Sequence, residues 1–339
     1  MSIDTLTTGT AGALFGAALA SSGVWSPSVI TSQMRLEDFH MLKVFLSASA
    51  SSALVIAALE TKGFARCEPR SASPLGWFGD YDGNIVGGLM VGFGMALTGA
   101  CPGTVLVQLT TGVRSGWFAM IGAVLGGLSY PRVSSYLRRP CPPPAAGAKP
   151  KLTVHSKLGI DTNTAVLIYE ATCLIVILSA MVLGPRGVAM PLHPLSGGLL
   201  IGAAQAASLL LTGKPVGVST AYEEIGQSFW LLWNFVFRRT PAEKTSRPSA
   251  RAIVFGGGVV AGAWALVHSL PNTVLPAVAS PHISGFQGIL GGFVMVFGAR
   301  LAGRCTSGHG ISGMAMLSLS SIVTVASMFA GGIGLTMIL

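Results

Sequence analysis

Charged residues are scarce in this sequence of 339 residues, where Asp, Glu, Lys and Arg together make up 10%. Soluble globular domains carry about 25% charged residues, so this composition excludes a water-soluble fold of the same length. Hydrophobic residues account for 51% of the chain. The shortage of charge therefore indicates a protein whose outer surface faces lipid.

The sequence also lacks the motifs of several common functional classes. GGGVVAG at 256–262 has no Lys-Ser or Lys-Thr pair, which a phosphate-binding P-loop requires. Cysteine and histidine do not occur at the spacing of a zinc site, because His309 has only Cys305 as a close neighbour and Cys101 as a third ligand at best. The opening MSIDTLTTGTAG has no basic region and no cleavage site, so we expect no removable signal peptide. We predict a protein without a metal, a cofactor or ATP hydrolysis.

Apolar segments of membrane-spanning length are present instead. Residues 41–59 and 164–183 approach or reach the roughly 20 residues that cross a bilayer core, and such segments must be helices. We predict an all-α integral membrane protein with about eight to ten transmembrane helices plus re-entrant half-helices at 104–112 and 311–318. The predicted apolar helices are 9–24, 40–60, 84–100, 115–131, 163–184, 194–212, 219–237, 251–270, 283–303 and 311–338. Glu223 and Glu224 place the segment 219–237 at an interface or a cavity rather than in lipid.

The formal net charge of +9 comes largely from two connectors. Loops rich in Lys and Arg stay on the cytoplasmic side, so the charge reports topology and not binding of nucleic acid. The Pro-rich connector divides the chain into a first membrane half at 1–131, a cytoplasmic linker at 132–162 and a second membrane half at 163–339. The basic residues of the two connectors are Arg132, Arg138, Arg139, Lys149, Lys151 and Lys157, and Arg238, Arg239, Lys244, Arg247 and Arg251.

The sidedness of these connectors can be measured directly. A glycosylation tag or a labelled site placed in either connector is expected to be reachable only from the cytoplasm, because translocating its basic residues is unfavourable. Labelling from the outside of intact cells would contradict this topology.

The two halves contain related segments. The segment at 87–101 reads GGLMVGFGMALTGAC, and the segment at 291–305 reads GGFVMVFGARLAGRC. Both have two glycines, then five residues, a glycine, four residues, a glycine, one residue and a cysteine. Cysteine-free copies precede them, GALFGAALASSGVW at 12–25 and GGLLIGAAQAASLLL at 197–211. Duplication of this kind is typical of transporters whose site lies between inverted repeats near the bilayer midplane. We therefore predict internal repeats with pseudo-two-fold, inverted symmetry.

Both repeat cysteines lie where a membrane helix is expected to end. Pro102 and Gly103 follow Cys101, and Gly303 precedes Cys305 in AGRCTSGHG. Non-helical backbone at membrane depth is tolerated only when it is buried in protein or lines a watery cavity. Helix N-termini after each break, together with Arg300 and Arg304, would attract an anion. We expect neutral thiols at both positions, because a thiolate would repel that anion, and uptake should then not rise as thiols ionise.

Other roles for the cysteines remain open from the sequence alone. Cys101 and Cys305 could simply pack between helices, or they could form a disulfide. We interpret Cys173 as a packing residue of an apolar helix, and Cys67 and Cys141 as incidental residues of basic loops. His40 and His268 are interpreted as satisfied interior or interfacial groups.

The motifs resemble the YeeE/YedE family of sulfur-compound transporters. GGLMVGFGMALTGACPG around Cys101 and GGFVMVFGARLAGRCTSGHGISG around Cys305 carry the resemblance, and LTGKPVGVST at 211–220 is similar to the third repeat of the family. The resemblance implies thiosulfate uptake by an hourglass-shaped helical protein, in which short loops meet at a constriction and cysteines pass thiosulfate along by S–H hydrogen bonds. Trp25 stands where the family can have a further cysteine, so we expect Ser22 or Trp25 to shape the entrance.

We therefore predict a multi-pass transporter in the cell membrane for thiosulfate or a related small sulfur anion, with a soluble sulfurtransferase as a candidate partner. One alternative is a channel or carrier for another small solute, in which the cysteines only pack. Another is a membrane sulfur transferase, although a nucleophilic Cys needs a base and only His309 is near in sequence, with no acid after it. We accordingly predict that the chain is not an enzyme. The predicted translocation residues are Ser22, Gly99, Cys101, Pro102, Gly103, Gly303, Arg304, Cys305, Thr306 and His309.

Overall fold

Apolar helices dominate the computed structural model, which describes residues 3–64, 66–139, 151–185, 190–237, 249–270 and 281–338. Within those ranges the only pairing of β type is an isolated bridge between Thr153 and Ser318. The helices are α1 (Ile3–Ser21), α2 (Pro27–Met34), α3 (His40–Thr61), α4 (Asp82–Thr98), α5 (Thr104–Gln108), α6 (Arg114–Leu137), α7 (Val154–Leu158), α8 (Thr162–Val182), α9 (Pro194–Thr212), α10 (Ser219–Val236), α11 (Arg251–Ser269), α12 (Gly285–Leu301) and α13 (Leu319–Ile338), with a π-helix (Ser307–Gly313) between α12 and α13. The predicted all-α class is confirmed.

Each of the ten predicted apolar stretches contains a helix, but several boundaries differ. The half-helix predicted at 104–112 is the shorter α5. The one predicted at 311–318 begins earlier, as the π-helix Ser307–Gly313, so the chain returns to helical structure almost directly after Cys305. The short helices α2 and α7 were not predicted, because each spans eight residues or fewer and lacks a clear apolar period.

Five described helices are long and apolar enough to cross a membrane: α3, α8, α9, α11 and α13. α12 is apolar but has 17 residues. α8 buries only Ala165, Cys173 and Ile177, while side chains such as Leu167 and Ile175 are more than half exposed. A largely exposed apolar helix is stable only in lipid, so the chain is a multi-pass membrane protein with α8 at its periphery. The total of about eight to ten crossings stays a prediction.

Glycine allows the helices to approach closely. On α1, Gly12 and Gly16 face the backbone of α11, and Gly258 and Gly262 of α11 face the backbone of α1. A Cβ atom at any of these four positions would overlap backbone atoms of the neighbouring helix. Membrane helices gain most of their association energy from such close packing, since lipid is as apolar as the side chains.

The helices α4 and α12, which contain the two similar cysteine motifs, pack directly against each other. At Gly87 of α4 a Cβ atom would reach the carbonyl oxygen of Gly298 on α12, and at Gly94 it would reach that of Gly291. The beginning of each helix therefore meets the end of the other, and the two run antiparallel. Ser22, just after α1, likewise lies against Gly197 near the beginning of α9.

The two halves predicted from sequence share one packed core. α1 packs on α9 and α11, and α4 and α6 both pack on α12. α6 continues through Pro131 to Leu137, so the start of the predicted linker 132–162 is helical. Residues 140–150, with their prolines, Cys141 and Lys149, lie outside the described residues, as do 238–248 with Arg238, Arg239, Lys244 and Arg247.

Candidate functional site

The four helices that contain the predicted repeats end in the same way. α1, α4, α9 and α12 are each followed within two residues by a glycine in the left-handed backbone region. That conformation is unfavourable for residues with a side chain but open to glycine, so each helix stops at a sequence-encoded position. The four glycines and their φ angles are Gly23 (74°), Gly99 (58°), Gly213 (65°) and Gly303 (92°).

Side chains tie these helix ends together. Gln108 Nε2 donates hydrogen bonds to the carbonyl oxygens of Trp25 (2.8 Å) and Gly99 (2.9 Å). The Tyr222 hydroxyl donates to the carbonyl oxygen of Pro102 at 2.8 Å. At Gly103, a Cβ atom would lie 3.8 Å from Val218 and 3.9 Å from the sulfur of Cys101. The segments after α1, after α4 and before α10 therefore meet at one place.

Cys101 is held by the first turn of α5. Its backbone N–H donates to Thr104 Oγ1 (2.7 Å), and the Thr104 backbone N–H points to its sulfur (3.4 Å). Its thiol is free and partly buried. The Thr104 N–H therefore favours partial negative charge on the sulfur of Cys101.

Cys305 is free as well, and only 2% of the residue is exposed. Its sulfur lies 3.2 Å from the hydroxyl oxygen of Ser307. The sequence allowed a disulfide between Cys101 and Cys305. In the structure both thiols are free. Cys173 is buried in the core, in agreement with its interpretation as a packing residue.

Two cavities are lined by residues next to Cys305 in the chain. A narrow apolar cavity of about 50 Å³ is lined at one end by Cys101, Gly103, Thr104, Thr306 and Ser307, and elsewhere by aliphatic and aromatic side chains. This volume is about that of one to two water molecules, since the share of one molecule in liquid water is about 30 Å³. It therefore has the size of a constriction and not that of an open channel.

A larger cavity of about 430 Å³ is strongly basic. Arg304 lines it, whereas Thr306 and Ser307 line the apolar cavity, so the chain passes from the wall of one cavity to the wall of the other at Cys305. The charged residues of this basic cavity are Arg66, Arg70, Lys214, Arg251 and Arg304, with Glu68 and Glu224 as the acidic ones.

The two arginines of α12 and its end have different environments. Arg300 forms an ion pair with Glu223, and both side chains are less than one-fifth exposed. Arg300 Nη1 also contacts the Gly303 carbonyl oxygen at 3.3 Å. Arg304 forms no ion pair within the part of the chain that the structure describes. Glu223 neutralises Arg300, so only Arg304 of this pair keeps an uncompensated charge, and attraction of an anion by Arg304 stays a prediction.

Replacing Glu223 with glutamine is expected to lower the free energy of unfolding by about 3 kcal/mol, because the buried charge of Arg300 loses its partner. The double variant Glu223→Gln/Arg300→Gln removes both charges and is expected to recover most of that loss. Thermal unfolding of the purified proteins in detergent measures both effects. A double variant less stable than the single one would contradict the pairing.

Glu224 has a structural task at the rim of the basic cavity. Its Oε2 accepts hydrogen bonds from the backbone N–H groups of Ala252 (2.9 Å) and Ile253 (3.1 Å), at the start of α11. A carboxylate at this position satisfies free N–H groups and complements the helix dipole. The predicted interfacial or cavity position of this residue agrees with the structure.

Two predicted site residues lie in supporting positions. His309 is 2% exposed, and its ring nitrogens contact Ser321 Oγ (2.9 Å) and the carbonyl oxygen of Ala302 (3.0 Å). The Ser22 hydroxyl donates to the Leu19 carbonyl oxygen, and its own carbonyl contacts His40. Neither residue lines the two cavities, and the wall near the first break is formed by Val24 instead of Trp25.

The sequence reasoning missed the contribution of the loop after α3. Arg66, Cys67 and Arg70 from that loop line the basic cavity, together with Lys214. Burial and the charge of Glu60 raise the pKa of the Cys67 thiol, so it is neutral at pH 7. The charged cluster RCEPR at 66–70 could have indicated a functional loop. It lies far along the chain from both Cys101 and Cys305, so the sequence did not show that it lines the same cavity as Arg304.

The described residues contain no group of three or more His, Cys, Asp or Glu side chains that could hold a metal ion. The partners available at the breaks are hydroxyl groups, thiols, backbone N–H groups and guanidinium groups. This set suits an anion that also carries an atom able to accept a weak S–H hydrogen bond.

Comparison with known proteins gives a family match and several relatives. The model of a family described as Sulphur transport matches residues 21–334. The thiosulfate transporter TsuA of Spirochaeta thermophila is 26% identical over 115 residues, which cover 34% of this chain and 33% of TsuA. A protein of Xylella fastidiosa described as a probable transporter is 30% identical over 142 residues, or 41% of this chain and 88% of that protein. The chain thus spans about one third of the length of TsuA and most of the Xylella protein.

Proposed function

Because the chain belongs to the sulphur transport family, we propose that it transports thiosulfate or a related small sulfur-containing anion across the membrane, past the thiols of Cys101 and Cys305. The step of the chain at Cys305 from Arg304, which lines the basic cavity, to Thr306, which lines the apolar cavity, carries this proposal. A solute that moves from one cavity to the other would then pass near this thiol. TsuA, described as a thiosulfate transporter, supports the choice of cargo.

The chemistry of the constriction favours a sulfur anion over a simple oxyanion. A neutral thiol donates a weak hydrogen bond and carries no charge, so it can contact an anion without repelling it. The sulfur of Cys101 lies beside the Thr104 N–H, and Cys305 lies beside the Ser307 hydroxyl, so both thiols have polar neighbours in an otherwise apolar wall. A polarizable sulfur atom tolerates this environment better than a strongly hydrated oxygen does.

The antiparallel packing of α4 on α12 supports the inverted-repeat arrangement that we propose for the whole chain. Gly87 corresponds to Gly291 in the repeats, and Gly94 corresponds to Gly298. The observed neighbours are Gly87 with Gly298 and Gly94 with Gly291, which is the exchange expected for two copies related by a two-fold axis. Such an axis would bring Cys101 and Cys305 to equivalent positions at the constriction.

Uptake of radiolabelled thiosulfate into proteoliposomes containing the purified protein tests the proposal. Vesicles with protein are expected to accumulate label well above protein-free vesicles, and excess unlabelled thiosulfate should compete more strongly than sulfate, which lacks the outer sulfur. Uptake equal to that of protein-free vesicles, or equal competition by sulfate, would rule out a thiosulfate carrier. Thiosulfate-dependent growth of a sulfur-auxotrophic host provides an independent measurement.

A further inference from the structure

Arg70 projects from the loop between α3 and α4 into the wall of the basic cavity. The hydroxyl groups of Ser318 and Ser320 both donate hydrogen bonds to its carbonyl oxygen, at 2.8 and 2.9 Å. These bonds attach the loop to the beginning of α13 and hold the Arg70 backbone in place. A side chain on such a fixed backbone is oriented before any ligand arrives, which reduces the entropy that binding has to offset.

The guanidinium group of Arg70 is not satisfied by the protein. Its Nε and Nη2 atoms are buried and have no hydrogen-bond partner among the described residues. Buried polar atoms nearly always have partners, and a buried guanidinium without one is costly. The ion pair found in the described part of the chain joins Arg300 to Glu223 and leaves Arg70 without a carboxylate.

Arg304 faces the same cavity from the end of α12. A substituent at Gly217 would lie 3.7 Å from Arg304 Nη1, and the side chain carries no ion pair in the described ranges. Burial, followed by the charge of Arg304, lowers the pKa of Arg70 to about 10. Both groups remain cationic at pH 7, so two positive charges face one cavity, and neither forms an ion pair with a carboxylate of the described residues.

We propose that Arg70 and Arg304 together bind the oxyanion end of the transported solute in the basic cavity, with its remaining atom directed at Cys305. This inference rests on the proposed function for the identity of the solute. Two guanidinium groups match the oxygens of a tetrahedral dianion, because each offers a planar fork of N–H donors. Cys305 interacts electrostatically with both Arg70 and Arg304, which places its thiol near the part of the ligand that the arginines do not hold.

The other cations of the cavity have different surroundings. Arg251 Nη2 donates to the carbonyl oxygen of Thr212 at 3.0 Å and so has a protein partner. Arg66 is exposed at the rim, so its charge is screened by water and salt. Arg66 therefore serves as a matched control for Arg70, since both belong to one loop and line one cavity.

Binding of sulfate and of thiosulfate to the purified protein in zwitterionic nanodiscs, measured by calorimetry, tests the proposal. Arg70→Gln and Arg304→Gln are each expected to weaken binding of both anions by about tenfold, the equivalent of one charge-assisted hydrogen bond. Arg66→Gln should change it by less than about twofold. Unchanged affinity in folded Arg70→Gln protein, or an equal loss in Arg66→Gln, would overturn the proposal.

A second measurement needs no variant. Sulfate is expected to protect Arg70 of the unaltered protein from the arginine reagent phenylglyoxal, as read by mass spectrometry of its peptide, and absence of protection would overturn the site. Sulfate binding is independent of transport, so the two proposals fail separately. Arg70-dependent sulfate binding without thiosulfate uptake would refute the proposed function alone, whereas uptake with an unaffected Arg70→Gln variant would refute this site alone.

Discussion

Replacing Cys305 with alanine is expected to reduce thiosulfate uptake by roughly tenfold to a hundredfold, with the protein still folded. Cys305 is buried and joins Arg304 of the basic cavity to Thr306 of the apolar cavity, so under the proposed function its removal takes a hydrogen-bond donor from the path of the solute. Cys101→Ala is expected to act in the same direction, because Cys101 lines the apolar cavity. Uptake into proteoliposomes, normalised to the amount of folded protein, measures both effects.

Cys173→Ala is the matched control, since Cys173 is also buried and free but lies on α8, away from both cavities. It should lose stability by packing alone and keep its rate of uptake. Cys305→Ser separates hydrogen bonding from sulfur chemistry, because the hydroxyl still donates but is less polarizable. If the Cys305→Ala variant takes up thiosulfate at the wild-type rate, the thiols only pack, and the proposal that the cysteines pass thiosulfate along would be wrong.

Replacing Gly262 with alanine is expected to cause a large loss in the free energy of unfolding, although it adds only one methyl group. The added Cβ would overlap the carbonyl oxygen of Ala13, which belongs to the backbone of α1 and cannot rotate away. The helices α1 and α11 would have to separate along their contact, at a cost of about 1–3 kcal/mol or more. We expect a clearly lower melting temperature in detergent and less monodisperse protein after purification.

Gly257→Ala is the control on the same helix. A Cβ at Gly257 meets no atom within 4 Å, so the substitution adds a methyl group to open space. Alanine is the better helix former, and this variant should be as stable as the native protein or slightly more so. Equal melting temperatures for the two variants would mean that α1 and α11 do not pack through these glycines.

Several elements of the fold could be predicted from local patterns. The apolar stretches lead to helices because a chain in lipid has to satisfy its backbone hydrogen bonds within each segment. The ends of α4 and α12 could also be predicted, because Gly99 and Gly303 adopt a backbone conformation that glycine accepts most readily. The π-helix after Cys305 could not be predicted, because the choice between α and π turns in SGHGISG depends on the packing of other elements around this segment.

Composition and repeated motifs by themselves determined that this chain is an all-α membrane protein, with two cysteines at helix breaks. The tertiary structure alone decided which charges remain available there. Glu223 neutralises Arg300 from 77 positions away, while Arg70 comes from a distant loop to face the same cavity as Arg304. Such pairings depend on how helices cross in three dimensions, and residues far apart along the chain carry no local pattern that records the crossing.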